Sequence, residues 1–279
     1  MNIISPLKIQ GKKTKIMPLI KEVADSCKYE IWIEPFLGSG QVLFSINPKK
    51  ALVGDNNKVL IDFYNGIKKG DITSEKVREF LEFHGKNLEE YGADYYYKIR
   101  SEFNENQNPL YFLFLNRASF NGIIRFNSKG HFNTPFCNKP KRFSKAYVTK
   151  IVNQVKAIEK IILEHGDDWT FIYGDWKYTI SLNNNSKALL YLDPPYVNRH
   201  ATYKDDWTPS NNESLFEFLL NTNQKFILSN WFGNSYRTNE EINIFKNEKF
   251  SIKTVTHFYH LGGKLENRNS MEECVIINF

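Results

Sequence analysis

The sequence predicts an α/β fold in which a largely parallel sheet is interrupted by a mostly helical insertion. Short apolar runs, typical of buried parallel strands, alternate with longer segments of helical character along most of the 279 residues. The interval from about residue 62 to residue 144 breaks this alternation and ends in a stretch rich in Gly, Asn and Pro. A chain of this length can form one substantial core with a smaller inserted unit.

The predicted elements follow in chain order. The strands are the apolar runs at residues 31–33, 51–53, 170–173, 188–192, 226–228 and 274–277. The helices between them are residues 15–26, 41–46, 59–68, 147–165 and 213–220, with further helical stretches at 74–83, 94–103 and 110–116 inside the insertion. We therefore predict a two-part α/β domain, residues 1–61 and 145–279, and an inserted domain, residues 62–144.

Composition favours a cytoplasmic protein with a polyanionic partner. The net charge is +6 and the pI is about 8.9, as expected for a chain that binds nucleic acid. Cys27, Cys137 and Cys274 lie far apart without paired Cys or His spacing, so we expect no zinc site, and sparse cysteine is typical of a reducing compartment. No run of 18 apolar residues and no signal-peptide core is present, so we expect a soluble protein without a transmembrane helix.

A glycine-rich loop, Glu34 to Gly40, follows the first predicted strand and precedes a helix. Its two glycines let the backbone approach a ligand closely, with helix N–H groups pointing at it. Asp55 follows the second predicted strand, where an acid accepts hydrogen bonds from ribose hydroxyls. The third glycine of the dinucleotide fingerprint is missing. The pattern predicts a site for a nucleoside-containing cofactor, with a simple tight turn as the alternative.

A second polar motif, Asp193-Pro194-Pro195-Tyr196, ends the apolar run at residues 188–192. Proline has no N–H, so the local carbonyls are left as acceptors, and Asp193 adds a charged acceptor. Tyr196 offers a flat face on which a base can stack. Two acceptors that hold an exocyclic amino group can turn its lone pair towards an electrophile. The alternative is a proline turn after a buried strand.

These motifs resemble those of the Dam-like adenine-N6 methyltransferases (D12 class, α group). Residues 36–40 (F-L-G-S-G) resemble the F-x-G-x-G motif for S-adenosylmethionine, and residues 193–196 match the D-P-P-Y catalytic motif. Residues 116–127 (N-R-A-S-F-N-G-I-I-R-F-N) and 130–136 (G-H-F-N-T-P-F) closely resemble the family's recognition-domain signature. The resemblance covers nearly the whole chain. It implies a Rossmann-like S-adenosylmethionine methyltransferase sheet with an inserted DNA target-recognition domain.

The N-terminal motif departs from the family pattern. The family opens with L-K-W-A-G-G-K, whereas residues 7–13 read L-K-I-Q-G-K-K, so the Trp and one Gly are replaced while Lys8, Gly11 and Lys13 keep their register. The family also implies that Gly174-Asp175-Trp176 follows a strand and frames the adenine of the cofactor. The cofactor-binding residues that the resemblance implies are Gln10, Gly11, Lys13, Glu34, Pro35, Phe36, Gly38, Ser39, Gly40, Asp55, Asn56, Asp175, Trp176 and Asp193.

A long acid-free segment predicts where DNA binds. Between Glu105 and Glu159 there is no Asp or Glu and there are nine Lys or Arg residues, which suits phosphate neutralisation, although solvated surface charge is the alternative. Arg and Asn are the residue types that read guanine and adenine edges, and Phe120 has the character of a wedge between base steps. The expected DNA-binding residues are Lys8, Arg117, Phe120, Asn121, Arg125, Asn127, Lys129, Asn133, Pro135, Lys139 and Arg142.

Several of these residues have structural alternatives. Phe120 and Phe126 are candidates for the core, Arg117 for an internal ion pair, and Asn121-Gly122 for a simple turn. The predicted mechanism is extrusion of the adenine from the duplex, stacking on Tyr196, and acceptance of N6–H by Asp193 and the Pro194 carbonyl. No metal is needed for such a transfer, because a sulfonium is an activated leaving group. Arg199, His200 and Tyr203 follow the motif and are candidates for closing the pocket.

Other functions fit part of the pattern. An RNA adenine or cytosine-N4 methyltransferase would use the same fold, but cytosine-N4 enzymes usually carry Ser at the position of Asp193. A non-catalytic DNA-binding protein on this scaffold is the alternative from another class. Among DNA enzymes, the recognition segment and residues 199–207 resemble methylases of type IIS restriction systems, and an orphan methylase of GATC sites is the alternative. A cognate restriction endonuclease is thus a predicted functional partner.

Overall fold

The computed structural model describes residues 3–11, 13–196, 207–234, 236–258 and 270–279, and the features below lie within these ranges. It contains a seven-stranded mixed sheet, which confirms the predicted Rossmann-like α/β fold. The strands are β1 (Ile31–Glu34), β2 (Ala51–Asp55), β3 (Trp169–Tyr173), β4 (Ala188–Leu192), β5 (Lys225–Asn234), β6 (Ser251–Phe258) and β7 (Ser270–Ile277).

The strand order is β3-β2-β1-β4-β5-β7-β6. The first five strands of this order are parallel, and β7 runs antiparallel to both of its neighbours. Strand β6 was not predicted. Its sequence is mostly polar, with apolar residues only at Ile252, Val255 and Phe258, because it lies at the sheet edge, where many of its side chains are solvent-exposed. The rule of continuous apolar runs therefore applied only to the strands that are buried on both faces.

The helices are α1 (Met17–Asp25), α2 (Gln41–Ile46), α3 (Lys58–Lys68), α4 (Ser74–Asn106), α5 (Pro109–Ala118), α6 (Lys145–His165), α7 (Trp176–Ser181) and α8 (Pro209–Asn221). The predicted helical stretches at residues 74–83 and 94–103 both belong to one helix, α4. Helix α7 was not predicted. The predicted boundary 61/62 falls inside α3, and the boundary 144/145 coincides with the start of α6. The division into two domains remains a prediction.

The sheet separates two apolar layers. On one face Trp32, Tyr191 and Ile227 belong to a cluster that continues through α1 and into the helices of the insertion, so the insertion shares this core with the sheet. On the other face Leu190 and Leu228 pack in a smaller cluster that includes residues of α8. Successive residues of a strand point to opposite faces, which explains this division. Among the described residues, no helix is both long enough and apolar enough to span a bilayer.

Helix α4 contains a break at Gly92, which has φ 58° and ψ −129°. The segment after the break supports residues 116–136, named here the recognition region after the family signature that they resemble. Tyr96 donates to the Thr134 carbonyl (2.9 Å), and Asn104 exchanges two hydrogen bonds with the Phe132 backbone. A Cβ added at Gly92 would meet no heavy atom within 4 Å. A side chain there is therefore opposed by backbone strain alone.

We expect Gly92→Ala to lower the free energy of unfolding by about 1–3 kcal/mol, because alanine is strained in this backbone conformation. Helix propensity alone predicts the opposite sign, a gain of about 1 kcal/mol. Urea denaturation of both proteins measures the difference. The control is Ser101→Ala, an exposed position of ordinary helical geometry on the same helix, which should change stability by no more than about 0.5 kcal/mol. An equal or stabilising effect of Gly92→Ala would contradict the strain argument.

Candidate active site and nucleic-acid interface

The glycine loop after β1 is held by Asp55, the last residue of β2. The backbone N–H of Gly38 donates to Asp55 Oδ2 (2.8 Å), and the backbone N–H of Asn57 donates to Asp55 Oδ1 (2.9 Å). Gly38 and Gly40 both have positive φ, and a Cβ on Gly40 would lie 2.6 Å from the Phe44 ring. Glycine is thus required at residue 40, both for its backbone conformation and for the close approach of Phe44.

Two carboxyl groups beside this loop are buried. Burial raises the pKa of Glu34 to about 8, against a hydrogen bond from Trp32 Nε1 (2.9 Å) that lowers it, and the nearby Asp193 and Asp55 raise it further. Burial likewise raises the pKa of Asp55 to about 6, although the N–H groups of Gly38 and Asn57 lower it. A cationic ligand beside Glu34 would favour its charged form. These two carboxyl groups therefore suit a cofactor that carries hydroxyl groups and positive charge.

The other residues that the resemblance assigns to the cofactor are spread around this loop. Gly11 has φ 82° and open space where a Cβ would lie. Asp175 lies two residues after the end of β3, and its Oδ1 accepts from Tyr178 N (2.7 Å) as the N-cap of α7. Trp176 is 7% exposed and packs in the smaller apolar cluster. Of the remaining members, Pro35, Phe36 and Ser39 belong to the loop itself. Asn56 follows Asp55, and Gln10 lies in the N-terminal segment.

The tetrad, residues 193–196, follows β4 and contacts the N-terminal segment. Lys13 Nζ lies 2.8 Å from Asp193 Oδ1, 3.4 Å from the Tyr196 hydroxyl and 5.5 Å from the centroid of its ring. Lys13 also donates to the Gly11 carbonyl (3.3 Å). The sequence assigned Lys13 to the cofactor set; the structure brings its ammonium group to the tetrad itself.

This ion pair is buried, with the Lys13 side chain 4% and the Asp193 side chain 20% exposed. Burial raises the pKa of Asp193 and Lys13 partly offsets that effect. Burial lowers the pKa of Lys13, but Asp193 and the neighbouring Tyr196 and Tyr191 raise it well above its usual value. Lys13 is therefore protonated at neutral pH, and it stabilises the charged form of Asp193.

Sequence reasoning missed two residues near these groups. Glu273 of β7 is 8% exposed and raises the pKa of both Asp193 and Tyr196. The available signal was an acid directly before the apolar run at residues 274–277. Asn116 accepts from Lys8 N (2.7 Å) and donates to the Lys8 and Gly122 carbonyls, so it attaches the N-terminal segment to the recognition region. Among the described residues no cluster of three His, Cys, Asp or Glu could hold a metal ion.

The recognition region presents a pre-oriented arginine to solvent. Arg125 Nε donates to Asn133 Oδ1 (2.7 Å), and its Nη2 donates to the Asn133 carbonyl (3.2 Å). Asn121 is exposed with φ 54°, and Phe120 is 52% exposed while its N–H donates to the Pro135 carbonyl. The structure thus brings the predicted residues 120, 121, 125, 133 and 135 together on one compact segment. Exposure is consistent with a wedge role for Phe120.

Other predicted DNA-binding residues have internal partners. Arg117 is 4% exposed; its Nη2 donates to Gln154 Oε1 (2.6 Å) and its Nη1 to the Tyr147 hydroxyl (3.4 Å). Arg142 donates to the Arg117 carbonyl (2.9 Å) and to Tyr147 (2.8 Å). The expectation that Arg117 faces a base edge is not met, because the end of α5 is packed beneath Arg142 and Tyr147. The alternative expectation was an internal ion pair with a carboxylate. The partners of the buried Arg117 are instead the amide of Gln154 and the phenol of Tyr147.

The remaining predicted residues differ in exposure. Lys129 and Lys139 are exposed, whereas Asn127 uses its Oδ1 to accept from Lys129 N and His131 N within a turn. Lys8 is half-buried, and burial, with Arg142 and Arg117 nearby, lowers its pKa. Arg199, His200 and Tyr203 lie outside the described residues.

The family model of the D12 class N6 adenine-specific DNA methyltransferases matches residues 10–261. The chain is 27% identical to the type II methyltransferase M.MjaIII of Methanocaldococcus jannaschii, over 98% of both chains. It is 31% identical to the DNA adenine methylase of Escherichia coli K12, over 70% of this chain and 66% of the relative.

A third relative is longer than this chain. The type II methyltransferase M.FokI of Planomicrobium okeanokoites is 26% identical over 99% of this chain, which spans only 43% of the relative. The family match covers most of the sequence, including the glycine loop, the recognition segment and the tetrad. The chain therefore belongs to the D12 class N6 adenine-specific DNA methyltransferases.

The raised pKa of Glu34 predicts a specific dependence of stability on pH. A carboxyl group with a pKa of 4.5 when unfolded and about 8 when folded binds more protons in the folded state, so its contribution is complete below pH 4.5 and is lost as pH rises through 8. Relative to Glu34→Gln, the wild type should therefore lose about 1.4 kcal/mol of unfolding free energy per pH unit within that window. Denaturation of both proteins between pH 5 and pH 9 measures this. A difference independent of pH would show that Glu34 is ionised throughout.

Proposed function

We propose that this chain transfers a methyl group from S-adenosylmethionine to N6 of an extruded adenine within a short double-stranded DNA site. One observation carries the proposal: the glycine loop with its buried acids and the Lys13–Asp193 ion pair both lie at the carboxyl edge of the parallel strands. Ligands of open α/β sheets bind at this edge. Family membership supplies the reaction class.

The cofactor would be held by the loop after β1 and the acids beside it. Asp55 already accepts two backbone N–H groups, and its remaining lone pairs suit ribose hydroxyls. Glu34 suits the positive charge of the methionine portion, and Gly38 and Gly40 let the backbone approach closely. When bound, S-adenosylmethionine supplies an activated methyl group on a sulfonium.

The tetrad would hold the target base. Lys13 occupies Asp193 Oδ1, which leaves Oδ2 to accept one N6–H, and the Pro194 carbonyl accepts the other. Those two contacts orient the N6 lone pair towards the methyl donor, and the carboxylate stabilises the positive charge that develops on N6. Tyr196 supplies the stacking surface. In this scheme Lys13 is a positioning residue, because it keeps Asp193 charged and fixes its rotation.

The inserted residues 62–144 would recognise the DNA site. Arg125, pre-oriented by Asn133, reads a base edge, while Phe120 fills the space that the extruded adenine leaves. Exposed lysines such as Lys129 and Lys139 contact phosphates. We assign Arg117 a supporting role behind Arg142, based on its burial. DNA as substrate makes the cytoplasm the expected compartment.

The biological setting we favour is a restriction-modification system. M.FokI and M.MjaIII carry type II methyltransferase names, and this supports a modification role with a cognate endonuclease as a functional partner. An orphan methylase is the second candidate, since the Escherichia coli DNA adenine methylase has the highest identity of the three relatives described. The two settings differ in whether a matching endonuclease exists, and the chemical step is the same in both.

Long-read sequencing sensitive to modified bases, on plasmid DNA incubated with protein and S-adenosylmethionine, tests the base and the site together. We expect N6-methyladenine at one short sequence motif, because Asp193 suits an adenine amino group. The matched control is Asp193→Ala, which should lose roughly 2.7–4 kcal/mol of transition-state stabilisation or more. DNA affinity of that variant should be largely retained. N4-methylcytosine as the product, or a variant with more than a tenth of the wild-type kcat, would refute the assignment.

Substitutions of Arg125 and Lys139 should distinguish a residue that reads a base from one that contacts a phosphate. Arg125→Ala should cost about 1–3 kcal/mol on the cognate site and relax the choice at one base pair. Lys139→Ala, the control, should weaken binding to all DNA sequences about equally. It should also reduce the slope of the logarithm of the binding constant against the logarithm of salt concentration by about one. Binding to a library of site variants at several salt concentrations measures both. If Arg125→Ala weakens cognate and non-cognate DNA by the same factor, Arg125 contacts a phosphate instead.

A further inference from the structure

Strand β5 extends well beyond the point where β4 ends. The parallel register pairs Leu192, the last residue of β4, with Leu228, while β5 continues to Asn234. Residues 229–234 therefore run alongside the tetrad that follows β4. Because side chains alternate along a strand, Trp231 points to the same sheet face as Ile227. Tyr191 lies on that face too, so Asp193 and Trp231 share it.

A tight turn folds an arginine back over Trp231. Asn234 N donates to the Arg237 carbonyl (2.9 Å), and Asn234 Oδ1 accepts from Arg237 N (3.0 Å). Asn239 donates to the Trp231 carbonyl (2.9 Å), which ties the returning segment to the strand. The Arg237 guanidinium lies 5.3 Å from the centroid of the Trp231 ring. The turn and the ring together hold this exposed cation beside Trp231, on the sheet face that Trp231 shares with Asp193.

The returning chain passes close to Gly233. A Cβ at Gly233 would lie 3.3 Å from the Arg237 carbonyl oxygen, and the β5–β7 register shifts between Trp231 and Gly233. Bulges of this kind redirect side chains and are common beside active sites. Arg237 forms no ion pair with a carboxylate within the described ranges. Its charge is therefore available to an anionic ligand.

A similar pair lies on the opposite face of the sheet. Lys246 Nζ is 6.0 Å from the centroid of the Phe232 ring, and Phe232 follows Trp231 directly. Phe232 packs against the smaller apolar cluster, on the face away from Asp193. Lys246 is exposed like Arg237 and belongs to the same connecting segment. The two cations thus differ mainly in the face of the sheet on which they lie.

We propose that Arg237, held by Trp231, contacts a DNA phosphate adjacent to the extruded adenine and so stabilises the extruded state. Extrusion rotates a nucleotide about its backbone, so its flanking phosphates must lie near the base pocket when the base is at the tetrad. A guanidinium matches phosphate geometry. The contact carries no sequence information. This inference rests on the proposed function and extends it to a residue outside the recognition region.

The test uses duplexes that contain the site found by sequencing, with 2-aminopurine in place of the target adenine. One duplex is unmodified, and others carry a single neutral methylphosphonate on either side of the target or several base pairs away. Affinity and 2-aminopurine fluorescence are measured for the wild type, Arg237→Ala, Trp231→Ala, Trp231→Phe and the control Lys246→Ala. Circular dichroism confirms that each variant is folded.

On unmodified DNA, Arg237→Ala should bind roughly tenfold or more weakly than the wild type and show less fluorescence. A methylphosphonate beside the target should weaken the wild type by a similar factor and leave Arg237→Ala unaffected, whereas the distant one should affect both equally. Trp231→Ala should resemble Arg237→Ala, Trp231→Phe should retain the contact, and Lys246→Ala should match the wild type.

Equal sensitivity of wild type and Arg237→Ala to every methylphosphonate would overturn the inference, as would an equal loss in Lys246→Ala. In both of those cases the wild type still methylates its site, so the proposed function stands. If the wild type neither methylates DNA nor changes the fluorescence, the proposed function fails and this inference fails with it.

Discussion

The buried ion pair between Lys13 and Asp193 is the interaction on which the site depends. It joins the N-terminal segment to the end of β4, two parts of the chain that are far apart in sequence. A buried carboxylate without a partner is costly, and removal of one member of a buried pair leaves the other charge uncompensated. Lys13 thus does more than neutralise charge: it connects the segment that contacts the recognition region, through Lys8 and Asn116, to the tetrad.

Within the described residues, the acidic groups at one edge of the sheet outnumber the cations that form ion pairs with them. Glu34, Asp193 and Glu273 lie on the same face of the sheet, and Lys13 forms an ion pair with Asp193. The raised pKa values of Glu34 and Asp55 follow from burial, and they indicate that these carboxyl groups lie in an environment unfavourable to their charged forms. A cationic ligand would relieve part of that cost. Ligand binding and protonation of Glu34 should therefore be coupled.

The recognition region contains two kinds of polar residue: those that hold its own structure together and those that are exposed to solvent. Arg117 and Asn127 use their polar atoms on internal partners, whereas Arg125 is oriented by Asn133 and remains exposed. A side chain whose rotation is already fixed loses less entropy on binding than a free one. Arg237, whose guanidinium lies over the Trp231 ring, is restricted in the same way outside the recognition region. Both arginines are therefore exposed with restricted geometry, as the proposed contacts with DNA require.

Local motifs could be predicted from the sequence because their chemistry is carried by consecutive residues. The parallel strands, the glycine loop with Asp55, and the tetrad were all identified in this way. Pairings across the chain could not be, because contacts such as Lys13 with Asp193 and Arg117 with Gln154 depend on how distant segments pack. Edge strand β6 was missed for a related reason, since its mostly polar sequence carries no strand pattern of its own and forms a strand by pairing with β7. The sequence determined the fold class and the site's residue types; tertiary packing decided which of those side chains are buried, paired or presented.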